Sequence, residues 1–181
     1  KNIFALVDCN NFYVSCERVF APWPDFEQML RENRLPLYSL ETFTPLSSFD
    51  VVGFSVGYEM LYTNMLLILD LGGIPLLSAG RSENDPLVIA GGPGVFNPEP
   101  VADFVDVFVI GEAERALVEL LERYEQHREA PRRAILEKMD ELEYTYVPSR
   151  YDTRRSGGYL ITGIDKRVKR RIEPDLNALP V

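Results

Sequence analysis

Two short apolar segments that each run into glycine constrain the fold of this chain more than any other feature. Residues 87–90 lead into Gly91-Gly92-Pro93-Gly94, and residues 107–110 lead into Gly111-Glu112. Continuous apolar runs of this length are typical of strands that are buried on both faces of a parallel sheet. Because ligands of open α/β sheets bind beyond the carboxyl ends of the strands, we expect a crevice at these glycines.

The rest of the chain alternates between strand-like and helix-like segments, which implies a parallel sheet with right-handed crossovers. Strands are predicted at residues 3–7, 37–40 and 51–56, with an extended piece at 74–78. Helices are predicted at residues 24–33 and 58–71, after residue 111, and from residue 131. We therefore predict a flavodoxin-like, Rossmann-type three-layer α/β domain with a mostly parallel sheet over residues 1–143. A C-terminal β-hairpin turning at Gly157-Gly158, followed by a linker, is predicted for residues 144–181.

Charge and cysteine content exclude several classes of function. A net charge of -9 and a pI near 4.7 disfavour nucleic-acid binding, which rests largely on lysine and arginine. The two cysteines, Cys9 and Cys16, form neither a disulfide framework nor a four-ligand zinc site, so a cytoplasmic location is expected. The most apolar helical stretch, residues 61–71, is too short to cross a bilayer, and no membrane span is expected.

Several ordered motifs carry a resemblance to a known family. They are Glu-Arg-Val-Phe-Ala-Pro-Trp-Pro-Asp from Glu17, Pro-Leu-Tyr-Ser-Leu-Glu-Thr from Pro36, Gly-Phe-Ser-Val from Gly53, Tyr58-Glu59, Tyr62-Thr63-Asn64, Gly91-Gly92-Pro93 and Gly111-Glu112. From residue 17 onward the chain resembles the N-terminal domain of cobalamin-binding-type radical SAM proteins. The resemblance implies that a corrinoid or its nucleotide tail lies over the carboxyl ends of the strands.

The same resemblance implies a catalytic radical SAM domain as the partner of this chain. The Cys-x-x-x-Cys-x-x-Cys motif that holds the iron-sulfur cluster in that family is missing from the sequence. We therefore expect no iron-sulfur cluster in this chain and no radical chemistry by this chain alone. The function predicted is a cobalamin-type binding or accessory domain rather than an enzyme.

The candidate cofactor-binding residues follow the predicted strands. They are Ser55, Tyr58, Glu59, Gly91, Gly92, Pro93, Gly94, Asn97, Gly111 and Glu112. Each also has a structural interpretation: the glycines as tight-turn residues, and the polar residues as helix caps or loop contacts. His127 lies outside any Asp-x-His-x-x-Gly pattern, so corrinoid affinity would rest on shape, apolar contact and backbone groups.

Residues 1–20 show a second resemblance. Phe-Ala-Leu-Val-Asp-Cys-Asn-Asn-Phe-Tyr-Val-Ser-Cys-Glu, which ends at Glu17, is similar to the opening of UmuC-type Y-family translesion DNA polymerases. That resemblance implies magnesium ligation by Asp8 and a ribose-gating role for Tyr13. The Ser-x-Asp-Glu motif that supplies further carboxylates is missing, so neither magnesium binding nor polymerase activity is expected.

The two resemblances disagree over residues 17–20, which the polymerase pattern makes a helix and the radical SAM pattern makes a strand. We therefore raise the hypothesis of a chimera, natural or engineered, with a polymerase-like first strand and turn. A structural fold with no retained ligand and an inactive polymerase fragment stand as alternative functions. A strained junction would also favour a homo-oligomer or a domain-swapped dimer.

Overall fold

The computed structural model describes the backbone of residues 4–7, 16–156, 159–163 and 167–174, and the side chains of residues 16–151 and 167–174. Its main sheet has six strands in the order β2-β1-β3-β4-β5-β6. The strands are β1 (Phe4–Val7), β2 (Cys16–Arg18), β3 (Val51–Ser55), β4 (Leu87–Gly91), β5 (Val107–Val109) and β6 (Thr145–Tyr146). The helices are α1 (Pro24–Asn33), α2 (Tyr62–Leu71), α3 (Ala113–His127) and α4 (Arg132–Asp140).

The strand order confirms the predicted fold class. The first five strands are mutually parallel and β6 is antiparallel to β5. The order 2-1-3-4-5 is that of flavodoxin-like doubly wound sheets. The predicted C-terminal hairpin is also confirmed, as β7 (Asp152–Ser156) pairs antiparallel with β8 (Tyr159–Gly163). The predicted turn at Gly157-Gly158 lies outside the described residues.

The buried strands divide their side chains between two apolar layers. In β4, Val88 and Ala90 belong to the layer that includes α1 and α2, whereas Leu87 and Ile89 belong to the layer under α3 and α4. Successive side chains of a strand point to opposite faces, so a strand covered by helices on both sides must be apolar at every position. This is why β4 reads as an unbroken apolar run.

Two predicted strands are wrong. Within residues 37–40, Tyr38 makes only an isolated bridge to Pro45, because the chain turns back at Phe43, whose φ is 56°. Residues 74–78 are a loop rather than an extended piece. The buried guanidinium of Arg81 holds this loop by donating to the carbonyl oxygens of Pro75 and Leu76 at 3.0 and 2.9 Å.

The conflict over residues 17–20 is settled by β2. Residues 16–18 form a strand parallel to β1, as the radical SAM pattern requires, and the helix of the polymerase pattern is wrong here. Glu17 is 8% exposed and accepts hydrogen bonds from the hydroxyl groups of Ser39 (2.5 Å) and Thr42 (2.6 Å). Glu17, Ser39 and Thr42 belong to two of the motifs that carry the family resemblance. Their hydrogen bonds hold β2 against the segment that follows Pro36.

Helix boundaries also differ slightly from the prediction at α2. Residues 59–61 form a 3₁₀ turn, and the α-helix begins at Tyr62 rather than at Tyr58. The helix ends at Leu71, and a Cβ atom on the next residue, Gly72, would approach the Leu46 side chain to 2.8 Å. Within the described part of the chain, no helix is both long and apolar enough to cross a membrane.

The predicted division at residue 143 falls between α4 and β6. Because β6 pairs with β5, the main sheet extends past that boundary by one short antiparallel strand. The division into two parts therefore stays a prediction.

Candidate functional site

A cavity of about 400 Å³ lies beyond the carboxyl ends of β3, β4 and β5, on the side of the sheet that α3 covers. It is lined by Gly53, Phe54, Ser55, Ile89, Ala90, Gly91, Gly92, Pro93, Phe96, Val109, Gly111, Glu112, Ala113, Glu114, Leu117 and Arg170. Most of these residues present apolar side chains or bare backbone. The parallel sheet explains the position, because the chain leaves all three strands at the same edge and opens a space there.

The structure brings together part of the predicted site. Ser55, Gly91, Gly92, Pro93, Gly111 and Glu112 line the cavity, whereas Tyr58, Glu59, Gly94 and Asn97 do not. Tyr58 is 54% exposed, and Glu59 and Asn97 are exposed as well. Their binding roles stay predictions, as do those of the residues that line the cavity.

Packing within the protein explains three of the glycines. A Cβ atom on Gly92, whose φ is 103°, would lie 2.7 Å from the carbonyl oxygen of Val56, and one on Gly94 would lie 2.8 Å from the Val56 side chain. The amide of Gly94 donates to the Val56 carbonyl at 2.8 Å. Gly111 has a φ of 117°, and a Cβ atom there would collide with the backbone of Arg171. At these positions glycine lets one chain segment approach another.

Gly91 differs from the other glycines of the site. A Cβ atom on Gly91 would make ordinary contact with Val109, at 3.7 Å from its carbonyl oxygen. Its φ is not positive, and no packing constraint of the kind seen at Gly111 applies. Because Gly91 has no side chain, part of the cavity beside it is open, and a larger side chain at this position could fill that space.

Residues 167–174, which we call the strap, return to the sheet and close one side of the cavity. The amide of Arg171 donates to the Ile110 carbonyl at 2.9 Å, and the amide of Glu112 donates to the Arg171 carbonyl at 3.0 Å. The Glu112 carboxylate accepts a hydrogen bond from the Glu173 amide. Glu112, predicted as a ligand contact, is thus engaged by the strap.

The sequence prediction missed ten of the residues that line this cavity, among them Phe96 and Arg170, which contact each other. The guanidinium of Arg170 lies over the Phe96 ring, 5.4 Å from its centroid. This cation–π pair joins two residues that are distant in sequence, so local patterns do not indicate it. The sequence shows the basic tract 166–171, but the favoured interpretation of such a tract is a solvated strand or linker face.

The described residues provide no metal centre. No group of three or more His, Cys, Asp or Glu side chains within the described part of the chain could hold a metal ion. His127 ends α3, whose opposite end borders the cavity, and its Nδ1 atom pairs with the Arg123 carbonyl at 2.9 Å. Asp8, the magnesium ligand that the polymerase resemblance implies but that we do not expect to bind magnesium, lies outside the described residues together with Cys9.

Fold and site together define an α/β domain of flavodoxin-like strand order with a cavity at the carboxyl edge of its sheet. Residues 2–148 match the family described as "Radical SAM proteins, N-terminal". The chain belongs to this family of N-terminal domains of radical SAM proteins. The match takes in the segment compared above with polymerases and gives no support to a chimera.

A second comparison finds a longer relative. The chain is 31% identical over 85 residues to an uncharacterized protein of Methanocaldococcus jannaschii. The aligned part covers 46% of this chain and 18% of that protein, so the chain spans less than a fifth of the curated relative it matches. No solved structure matches the chain.

Proposed function

We propose that this chain is a ligand-binding accessory module of a radical SAM protein and that its cavity takes part of a cobalamin-type ligand. The observation that carries the proposal is the largely apolar cavity of about 400 Å³ at the ends of three parallel strands. Cavities of about 300–1,000 Å³ are typical of small-molecule sites. The motifs that resemble cobalamin-binding proteins support the choice of ligand, and family membership supports a radical SAM protein as the context.

The residues of the cavity suit one portion of such a ligand. Gly91 offers bare backbone at the end of β4, and Phe96 offers an aromatic face at 52% exposure. A corrinoid macrocycle is much larger than the enclosed volume, so the portion held here is the nucleotide tail. Arg170 lines the cavity and has no carboxylate partner among the described residues, which makes it the group to meet the phosphate of that tail.

The cobalt atom would receive no imidazole from the described part of the chain. His127 stands at the far end of α3, which at 1.5 Å per residue is about 20 Å from the helix start. Bound cobalamin supplies radical or group-transfer chemistry at cobalt. The residues described here bind and orient the ligand through shape, apolar contact and the charge of Arg170.

The catalytic partner in this proposal is a radical SAM domain elsewhere in the full protein. A cluster motif of that family needs three closely spaced thiolates, and this sequence has two cysteines. The thiolates would therefore come from the partner domain, and this chain would present the cofactor to it.

Titration with hydroxocobalamin tests the proposal. A ligand selective for the native state stabilises the fold by about 2.7 kcal/mol at a concentration 100 times its Kd. We expect hydroxocobalamin to raise the melting temperature of the wild-type chain. We expect Gly91→Val to abolish the increase, because the added side chain enters the cavity. Gly57→Val is the matched control, because a Cβ atom on Gly57 has no neighbour within 4 Å.

Two results would contradict the proposal. A wild-type melting temperature that does not respond to millimolar hydroxocobalamin would leave a structural domain without this ligand. An increase that persists in Gly91→Val would place the ligand away from the carboxyl edge of the sheet.

A further inference from the structure

A second cavity, of about 680 Å³, borders α3, residues 141–144 and the strap. It shares Arg170 with the cavity at the sheet edge. Five cationic side chains and four carboxylates line it, in a chain whose net charge is -9. The balance of charge at this cavity is therefore opposite to that of the whole chain.

Ion pairing concentrates the surplus positive charge on the strap. Lys169 pairs with Glu143 at 2.7 Å, and Arg123 pairs with Glu141 at 3.1 Å. Arg171, in contrast, lies over the Tyr144 ring, 5.6 Å from its centroid, and has no carboxylate partner among the residues that the structure describes. A guanidinium that faces a cavity and has no carboxylate partner can bind an oxyanion through two parallel hydrogen bonds.

A buried carboxylate in the same cavity has an unused acceptor. The Glu173 side chain is 3% exposed, and its Oε2 atom lies 3.4 Å from Nε of Arg115. Its Oε1 atom is buried without a hydrogen-bond partner in the described part of the chain. A buried acceptor without a partner is unfavourable, so a donor supplied by a ligand would be bound favourably here.

We propose that this second cavity binds a mononucleotide. Arg171 holds the phosphate, and Glu173 accepts a hydrogen bond from a hydroxyl or amino group of the nucleoside. The volume lies within the range of small-molecule sites, which favours a mononucleotide over a polynucleotide. The residues that carry this inference, Arg171 and Glu173, do not line the cavity proposed for cobalamin, although Arg170 lines both cavities.

Thermal stability with AMP, adenosine and inorganic phosphate as separate probes tests this inference. We expect AMP to raise the melting temperature with a Kd at least tenfold lower than that of adenosine or phosphate. Equal binding of phosphate and AMP would overturn the proposal, because the contact with Glu173 would then contribute nothing. No effect of millimolar AMP would also overturn it, as would an oligonucleotide that binds more tightly than AMP.

Substitutions at Arg171 and Glu173 test whether AMP binds in the second cavity. Arg171→Gln should weaken AMP binding at least tenfold, and Arg171→Lys should retain part of it because the charge remains. Glu173→Gln should weaken AMP binding but leave phosphate binding unchanged. Arg133→Gln is the matched control, since the Arg133 side chain is 86% exposed and is not among the residues that line the cavity. AMP binding that is unchanged in Arg171→Gln would contradict the proposal.

Discussion

At the scale of single residues, the glycines at the sheet edge serve different purposes. Gly111 combines a φ of 117° with close approach to the strap, whereas Gly91 has room for a Cβ atom. A glycine that follows a strand is therefore not by itself an indication of ligand contact. The distinction depends on which backbone segment lies opposite each glycine.

This difference predicts that alanine substitutions at the two glycines change the free energy of unfolding by different amounts. We expect Gly111→Ala to lower the free energy of unfolding by about 1–3 kcal/mol, because the residue becomes strained and displaces the strap. Gly91→Ala should change it by less than about 1 kcal/mol, since the new methyl group has ordinary contacts. Urea unfolding measures both. Equal effects of the two substitutions would show that the strap does not lie against Gly111.

At the scale of elements, β6 and the segments packed against it bury phenolic groups. The Tyr146 hydroxyl donates to Oε1 of Glu99 at 2.8 Å, and the Tyr144 hydroxyl donates to the Ala116 carbonyl at 3.0 Å. Burial raises the pKa of Tyr144 and of Tyr146 above the ordinary tyrosine range, and the neighbouring glutamates raise it further. Both groups stay protonated in the folded state when the unfolded chain ionises.

The raised pKa values predict a loss of stability in alkali. The free energy of unfolding that each buried tyrosine contributes is fully present below the unfolded tyrosine pKa of about 10. It falls by about 1.4 kcal/mol per pH unit as the pH rises above that value. We expect urea unfolding between pH 8 and 11.5 to show this slope. Tyr146→Phe should make the slope shallower, and Tyr58→Phe, at an exposed position, should leave it unchanged. Identical slopes in wild type and Tyr146→Phe would contradict the buried position of Tyr146.

Local sequence predicts some of these elements and not others. The strands β3, β4 and β5 are predictable because burial on both faces requires continuous apolar runs. The two-residue strand β6 is not, because its pairing with Phe108 and Val109 depends on where α4 ends. Residues 37–40 have strand-like composition, but hydrogen bonds from Ser39 and Thr42 to Glu17 and the turn at Phe43 determine their conformation instead.

For the candidate site, the sequence predicts the position of the cavity but not the segment that packs against it. Glycine-bearing loops after β4 and β5 indicated an edge crevice, and the cavity lies there. The strap was not predictable, because Gly111 and Arg171 are 60 residues apart and a solvated linker is the favoured interpretation of a basic tract. Non-local contacts of this kind leave no periodic pattern in the sequence.

At the scale of the whole molecule, the features that local sequence does not predict lie together at the carboxyl ends of the parallel strands. The cavity, the strap and the guanidinium of Arg170, which has no carboxylate partner among the residues that the structure describes, all lie at the end of the sheet where flavodoxin-like folds bind their ligands. The chain belongs to a family of N-terminal domains of radical SAM proteins. In the function that we propose, a partner domain would reach the bound ligand at this same edge.

Amide chemical-shift mapping tests most directly whether this edge is the functional centre. In ¹⁵N-labelled protein titrated with hydroxocobalamin, we expect saturable shifts concentrated at the amides of Gly91, Gly92, Ala113 and Glu114. The amides at the far end of α3, around His127, should not move. Unchanged spectra at millimolar hydroxocobalamin, or shifts concentrated away from the ends of β3, β4 and β5, would contradict it.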